Sequence, residues 1–170
     1  MVTVRLMQEH DIPGIVALEN SWECLSKWGE QGYRAALANP YIYYCFVAEA
    51  ESAATPEKPT HELAGLAIVA QLFDHSELCN IIVASQYLSE GVGQELLQTC
   101  INLSERLGLP RMLLEVRQSN VRAIRFYIRN CFQLIDERKD YYMDPRENAW
   151  VMERTIKVAN TEEHQQVAQS

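Results

Sequence analysis

The stretch LLEVRQSNVRAIRFYIRNCF, residues 113–132, changes its hydrophobic period in mid-course. Its first residues continue a nearly all-apolar run from Met112 to position 116, the pattern of a strand covered on both faces, with Glu115 the one carboxylate in it. Gln118, Ser119 and Asn120 follow, and Ser119 or Asn120 can cap a helix. Ala123, Ile124, Tyr127 and Cys131 then fall on one helical face, which carries the helix to position 130. A buried strand running straight into a helix implies a sheet with helices packed on it.

The chain upstream repeats that logic. Between positions 91 and 107, Val92, Leu96, Leu97, Cys100, Ile101, Leu103 and Leu107 trace a broad apolar face, and Gly108 with Pro110 stops the helix. Positions 78–84 are almost continuously apolar, as expected of a central strand. Positions 41–50 and 63–73 are strands rich in β-favouring residues, and ESAATPEKPTHE between them reads as an exposed hairpin loop. Val2 and Val4 alternate with polar residues in a first strand. Asp11 is then a candidate cap, with Pro13 in the first turn of a helix whose apolar face holds Ile15, Val16, Leu18 and Trp22. Gly29 and Gly32 interrupt it, and a short second helix over 33–38 ends at Asn39-Pro40.

Downstream, positions 132–138 and 149–154 read as two last strands joined through Tyr141, Tyr142 and the turn-forming Asp144-Pro145. The predicted order is β-α-α-β-β-β-α-β-α-β-β, a mixed α/β sheet within one domain over residues 1–157, followed by a polar tail at 158–170 expected to be disordered. A length of 170 residues with 48% hydrophobic content suits one core. Fifteen basic against twenty-three acidic residues leave a net charge of −8, which argues against a broadly basic nucleic-acid-binding surface. Five cysteines without a CxxC pair, and four scattered histidines, suggest free thiols in a reducing compartment and no metal site. Charge within the first five residues, and the lack of any apolar stretch of roughly 18 residues, predict a cytoplasmic protein with no membrane anchor.

One further element carries chemistry. Glu90-Gly91-Val92-Gly93-Gln94 lies between the strand at 78–84 and the long helix, where two glycines let backbone N–H groups at a helix start approach a phosphate. Alone, such a GxG is equally a tight turn. Combined with the strand before it, LEVR after it, and SNVRAIRFY on the next helix, it makes residues 80–132 resemble the acetyl-CoA-binding half of the GCN5-related N-acetyltransferase (GNAT) family. The later DYYMDPRENAWVM extends the likeness, which is close over 78–152.

The resemblance implies the GNAT fold, a mixed, mostly antiparallel sheet with splayed central parallel strands and flanking helices. It implies acetyl-CoA as the donor, with Ile81, Ile82 and Val83 offering a backbone edge to the pantetheine arm. Ser89, Glu90, Gly91, Val92, Gly93 and Gln94 would cradle the pyrophosphate, and Asn120 would hydrogen-bond the cofactor. Glu115 would take the proton of the acceptor amine, and Tyr127 would return one to the departing thiolate. Tyr141 and Tyr142 would grip a peptide, and the acceptor pointed to is a protein N-terminus, that of ribosomal protein S18 with its N-terminal alanine. Lysine, polyamine or another small amine is the competing acceptor, and a noncatalytic acyl-CoA-binding module the competing function.

The residue types suit the chemistry independently. An α-amine has a pKa of about 8, so it must lose a proton before it attacks a thioester, and a carboxylate can accept it. A phenol can protonate the leaving thiolate, and backbone N–H groups near Ile82 and Val83 can hold charge on the carbonyl oxygen. Plainer readings also stand: Glu115 as a salt-bridge partner of Arg117, Tyr127 as a core aromatic, Asn120 as a helix cap, and Tyr141 and Tyr142 as hairpin aromatics. The chain departs from the family pattern at Leu88 and Glu90, where the family carries amide or cationic side chains, and at Cys131, where it has glycine; Asn130 is the residue expected to take the left-handed turn there.

Overall fold

The computed structural model describes residues 1–23, 26–52 and 60–158. Along the chain run β1 (Val2–Leu6), α1 (Ile12–Asn20), α2 (Gly29–Leu37), β2 (Tyr43–Ser52), β3 (Thr60–Gln71) and β4 (Ser76–Val83). They are followed by α3 (Val92–Arg106), β5 (Arg111–Arg117), α4 (Val121–Arg129), β6 (Gln133–Met143) and β7 (Arg146–Thr155). The strands form one mixed sheet in the order β1-β2-β3-β4-β5-β7-β6. Among the described residues its only parallel contact is β4 with β5, and that pairing lasts three residues: Ser76 with Met112, Glu77 with Leu113, and Leu78 with Leu114. Beyond Leu78 and Leu114 the two strands part, while β4 stays paired to β3 and β5 to β7.

A bulge marks the parting. Along β3, Ile68 faces Asn80 and the next residue, Val69, faces Leu78, so Cys79 is the extra residue in β4. The bulge inverts the strand's parity. Leu78 packs into the core beneath α3 and α4, whereas Cys79 and Ile82 pack into the core beneath α1 and α2.

Each face of the sheet has its own core. On one, Leu96, Leu97, Cys100 and Ile101 of α3 meet Ile124 and Tyr127 of α4 over Ala67, Val69, Met112 and Leu114. On the other, Ile12, Ile15, Tyr33 and Ala36 of α1 and α2 cover Cys45, Val47, Leu66 and Ile68. The alternation of Phe46 and Ala48 with Cys45 and Val47 divides β2 between them, as the period of two requires. No helix among the described residues is long and apolar enough to cross a membrane.

Several boundaries differ from the sequence reading. Asp11 does precede α1, but its carboxylate accepts from the backbone N–H of Gln8 at 2.7 Å and pairs with Arg5 at 2.8 Å instead of capping the helix. Helix α2 begins at Gly29, four residues earlier than expected, because Glu19 of α1 accepts the N–H groups of Trp28 and Gly29. Strands β6 and β7 are longer, so Tyr141 and Tyr142 belong to β6 itself. Cys131, with φ of 64°, takes the left-handed conformation, while Asn130 stays at −97°. Positions 53–59 of the expected loop, and the tail from 159, lie outside the described residues.

Gly65 of β3 is the contact that lets β4 lie so close. A Cβ there would stand 2.6 Å from the carbonyl oxygen of Ile82 and 3.0 Å from Leu96 Cδ1. Since β4 cannot move without disturbing the sheet, Gly65→Ala is expected to cost about 1–3 kcal/mol by overpacking. Urea unfolding of the two proteins measures it, and an unchanged midpoint would contradict this account.

Candidate active site

The gap between the parted strands is a cleft of about 500 Å³. Among the residues named from the sequence, Ile81, Ile82, Val83, Ser89, Gly91, Gly93, Gln94, Glu115, Asn120, Tyr127 and Tyr142 line it. Glu90 is exposed outside it, Val92 is buried in the core, and Tyr141 lies beyond its wall. Leu88 also lines the cleft, so an apolar side chain stands where the family pattern has a donor, while the Glu90 carboxylate lies outside it.

Strand parity decides what β4 presents. The Ile82 carbonyl lies against Gly65, and the N–H of Ala84 donates to Ala64 O at 2.8 Å, so both are turned toward β3. By alternation, the polar groups of Ile81 and Val83 face the open side. Ile82 therefore does not belong to the free edge, and its side chain is buried beneath α1 and α2. The Val83 carbonyl accepts from the indole of Trp22 at 3.2 Å.

The start of α3 is shaped by Gly91, at φ of 87°, a left-handed conformation that other residues adopt only at a cost. Asn120 caps α4, its Oδ1 accepting from the N–H of Ala123 at 3.1 Å, and leaves its Nδ2 without a protein partner among the described residues. It can serve as cap and ligand group together.

Glu115 and Tyr127 reach the cleft from opposite faces of the sheet. Met112, Leu114 and Val116 all point into the core beneath α3 and α4, so Glu115 points to the α1 and α2 side. Its partner is Arg138 of β6, not Arg117. Arg117 is instead drawn to the β6–β7 turn: it donates to the carbonyls of Asp144 at 3.0 Å and Pro145 at 3.2 Å, and pairs with Glu147 at 3.4 Å. It also stacks on the ring of Tyr142, 4.0 Å from the centroid.

Tyr127 is 7% exposed and packs with Phe126 and Phe132. It is a core aromatic that also borders the cleft. Burial holds its hydroxyl well above the usual phenol range, so it stays protonated at neutral pH. Burial and then the charge of Glu115 push Tyr142 up to about 12, and a hydrogen-bonding interaction with Glu115 raises Tyr141.

Sequence reading missed several wall residues. Trp28, Asn80, Cys79 and Phe126 all border the cleft, and Trp22 does so although its spacing suggested only a helix face. Trp22 and Asn80 are held by contacts far along the chain, with Val83 and Tyr33, which no short pattern marks.

Residues 15–131 match the family model described as the Acetyltransferase (GNAT) family. A protein of Bacillus subtilis (strain 168) is 31% identical over 154 residues, covering 90% of this chain and 95% of that one. The ribosomal protein bS18-alanine N-acetyltransferase of Escherichia coli (strain K12) is 28% identical over 154 residues, covering 89% and 96%. The crystal structure of the ribosomal-protein-S18-alanine N-acetyltransferase from Escherichia coli superposes with a TM-score of 0.79 at 27% identity, over 95% of this chain and 98% of that one.

The cleft thiol of Cys79 is pushed up to about 12, first by burial and then by the charge of Glu77. A thiol so raised is overwhelmingly protonated near pH 8 and reacts slowly. Iodoacetamide at about pH 8 should therefore label exposed Cys131 well before Cys79, Cys45 or Cys100 in the native protein. Peptide mass mapping over time gives the order, and early loss of Cys79 would contradict it.

Proposed function

The chain belongs to the GNAT acetyltransferase family, and on that premise we propose that it transfers the acetyl group of acetyl-CoA to a protein N-terminal α-amine. The observation that carries this reading is the parting of β4 and β5 after Leu78 and Leu114, with Glu115 on one side of the gap and Tyr127 on the other. The names of the Escherichia coli relative and structural neighbour support ribosomal protein S18, with its N-terminal alanine, as the acceptor. The catalytic unit is a single domain over residues 1–157, acting in the cytoplasm.

In this reading the open backbone groups of Ile81 pair with the pantetheine arm, as an added strand would, while the Val83 carbonyl stays with Trp22. The backbone at 89–94 and the start of α3 favour the pyrophosphate, with Gly91 supplying the turn, and Asn120 offers its free amide nitrogen. The backbone N–H of Val83 holds the charge that develops on the thioester oxygen. Glu115 removes a proton from the acceptor ammonium, the freed amine nitrogen bonds to the acetyl carbon, the carbon–sulfur bond breaks, and the second proton that the nitrogen then sheds replaces the one Tyr127 gives up. Tyr127 gives its proton to the departing sulfur, and Tyr142 forms the wall nearest the acceptor chain, with Tyr141 packed edge-on against it just outside.

A protein acting on a cationic N-terminus benefits from its own charge of −8, which favours encounter with a basic partner. Incubation with acetyl-CoA and an alanine-initiated peptide should add the mass of one acetyl group. Glu115→Gln and Tyr127→Phe should each slow turnover by about 10²- to 10⁴-fold, the range for a positioned acid or base. A panel of other N-termini, lysine-bearing peptides and free polyamines tests the acceptor class. Binding of CoA without any transfer, or full activity in Glu115→Gln, would overturn the proposal.

A further inference from the structure

A buried carboxylate that the chemistry above does not use stands behind the acceptor side of the cleft. Glu19 of α1 is 1% exposed, and no cation pairs with it among the described residues. Its two oxygens accept the backbone N–H groups of Trp28 at 2.6 Å and Gly29 at 3.0 Å, and the hydroxyl of Tyr33 at 2.8 Å. Tyr33 is completely buried, and its oxygen in turn accepts from Nδ2 of Asn80 at 3.4 Å.

The direction of every bond in this chain is forced. Backbone N–H groups can only donate and a carboxylate can only accept, so the tyrosine proton must point at Glu19. Burial, reinforced by the bond to Glu19, keeps that proton in place by holding Tyr33 far above the usual phenol range. The phenol oxygen can then only accept. Asn80 must turn its NH₂ toward it, which leaves its carbonyl Oδ1 with no protein partner among the described residues, in a side chain that borders the cleft.

Strand parity puts that oxygen where it matters. The bulge at Cys79 turns Asn80 to the α1 and α2 side of the sheet, the side to which Glu115 points across the gap. Asn80 lies two residues beyond the last rung shared by β4 and β5, and Glu115 lies one beyond it. From these placements, and resting on the function proposed above, we infer that Asn80 binds the acceptor's α-amine through Oδ1, with Glu19 and Tyr33 as positioning residues that fix its sense. The amine nitrogen is then held between an amide oxygen and the carboxylate that takes its proton. Because Glu19 also anchors Trp28, the same carboxylate sets a second piece of the acceptor wall.

The test compares wild type with Asn80→Ala and Tyr33→Phe, using acetyl-CoA and an alanine-initiated peptide. Asn80→Ala should raise the peptide KM on the order of tenfold or more, the value of one hydrogen bond to a charged group, and leave the acetyl-CoA KM within about twofold. Tyr33→Phe frees the amide to rotate and should raise the peptide KM less, again without moving that of acetyl-CoA. Peptide binding in the presence of CoA gives a readout independent of turnover: wild type should prefer the free-amine peptide to its N-formyl counterpart, and Asn80→Ala should lose that preference. Thermal melting establishes that the variants are folded. An unchanged peptide KM with the preference intact, or a shift confined to acetyl-CoA, would overturn the inference. Wild type that acetylates no amine would overturn the function beneath it, a result visible before any variant is made.

Discussion

Three rungs of parallel pairing between β4 and β5 are the constraint on which the site rests. If the ladder continued, the polar groups of Ile81 and Val83 would be spent on β5 and there would be no cleft. It stops because each strand is held more firmly on its outer side. β4 is paired to β3 from Ser76 to Val83, and β5 is paired to β7 along its whole length. The extra residue at Cys79 bends β4 just where the two separate, as bulges do. Free backbone groups are costly when sealed from water, so the gap survives only as an open cleft or a filled one. The indole of Trp22 already satisfies one of them, the Val83 carbonyl.

The same geometry separates two chemistries. On the α3 and α4 side, the cleft is bordered by the turn at Gly91, the cap at Asn120 and the buried phenol of Tyr127. On the α1 and α2 side, it meets Glu115, Asn80 and Trp28. A donor and an acceptor can therefore approach from opposite faces and meet only in the gap. The sheet acts as a partition with one slot in it.

Much of the frame could be read from the chain, for reasons that local physics explains. Helix α3 announced itself through seven apolar residues at helical spacing and the Gly108–Pro110 stop, and α4 through Asn120, which does cap it. Those signals are contained within a few residues. The bulge at Cys79 carries neither Gly nor Pro and depends on β3. Glu19 looks like any surface carboxylate on a short helix, because its partners lie nine to fourteen residues further on. Val83 and Ile81 were legible as edge residues, but Ile82 was not separable from them until the register was known. The true partner of Glu115 was invisible for the same reason: Arg117 is near in sequence, and Arg138 is near in space.

That exchange of partners has a consequence for the base proposed at position 115. Arg117 is 10% exposed at its side chain, and its guanidinium is committed to two turn carbonyls, Glu147 and the face of Tyr142. Had Glu115 paired with so buried a cation, releasing it to an incoming amine would leave an uncompensated buried charge, a penalty of about 3–5 kcal/mol. Arg138 is 53% exposed at its side chain, and a pair of that kind is worth only about 0–1 kcal/mol because water takes over readily. The β6–β7 turn, by claiming Arg117 for itself, leaves the carboxylate with a partner that a cationic N-terminus can displace.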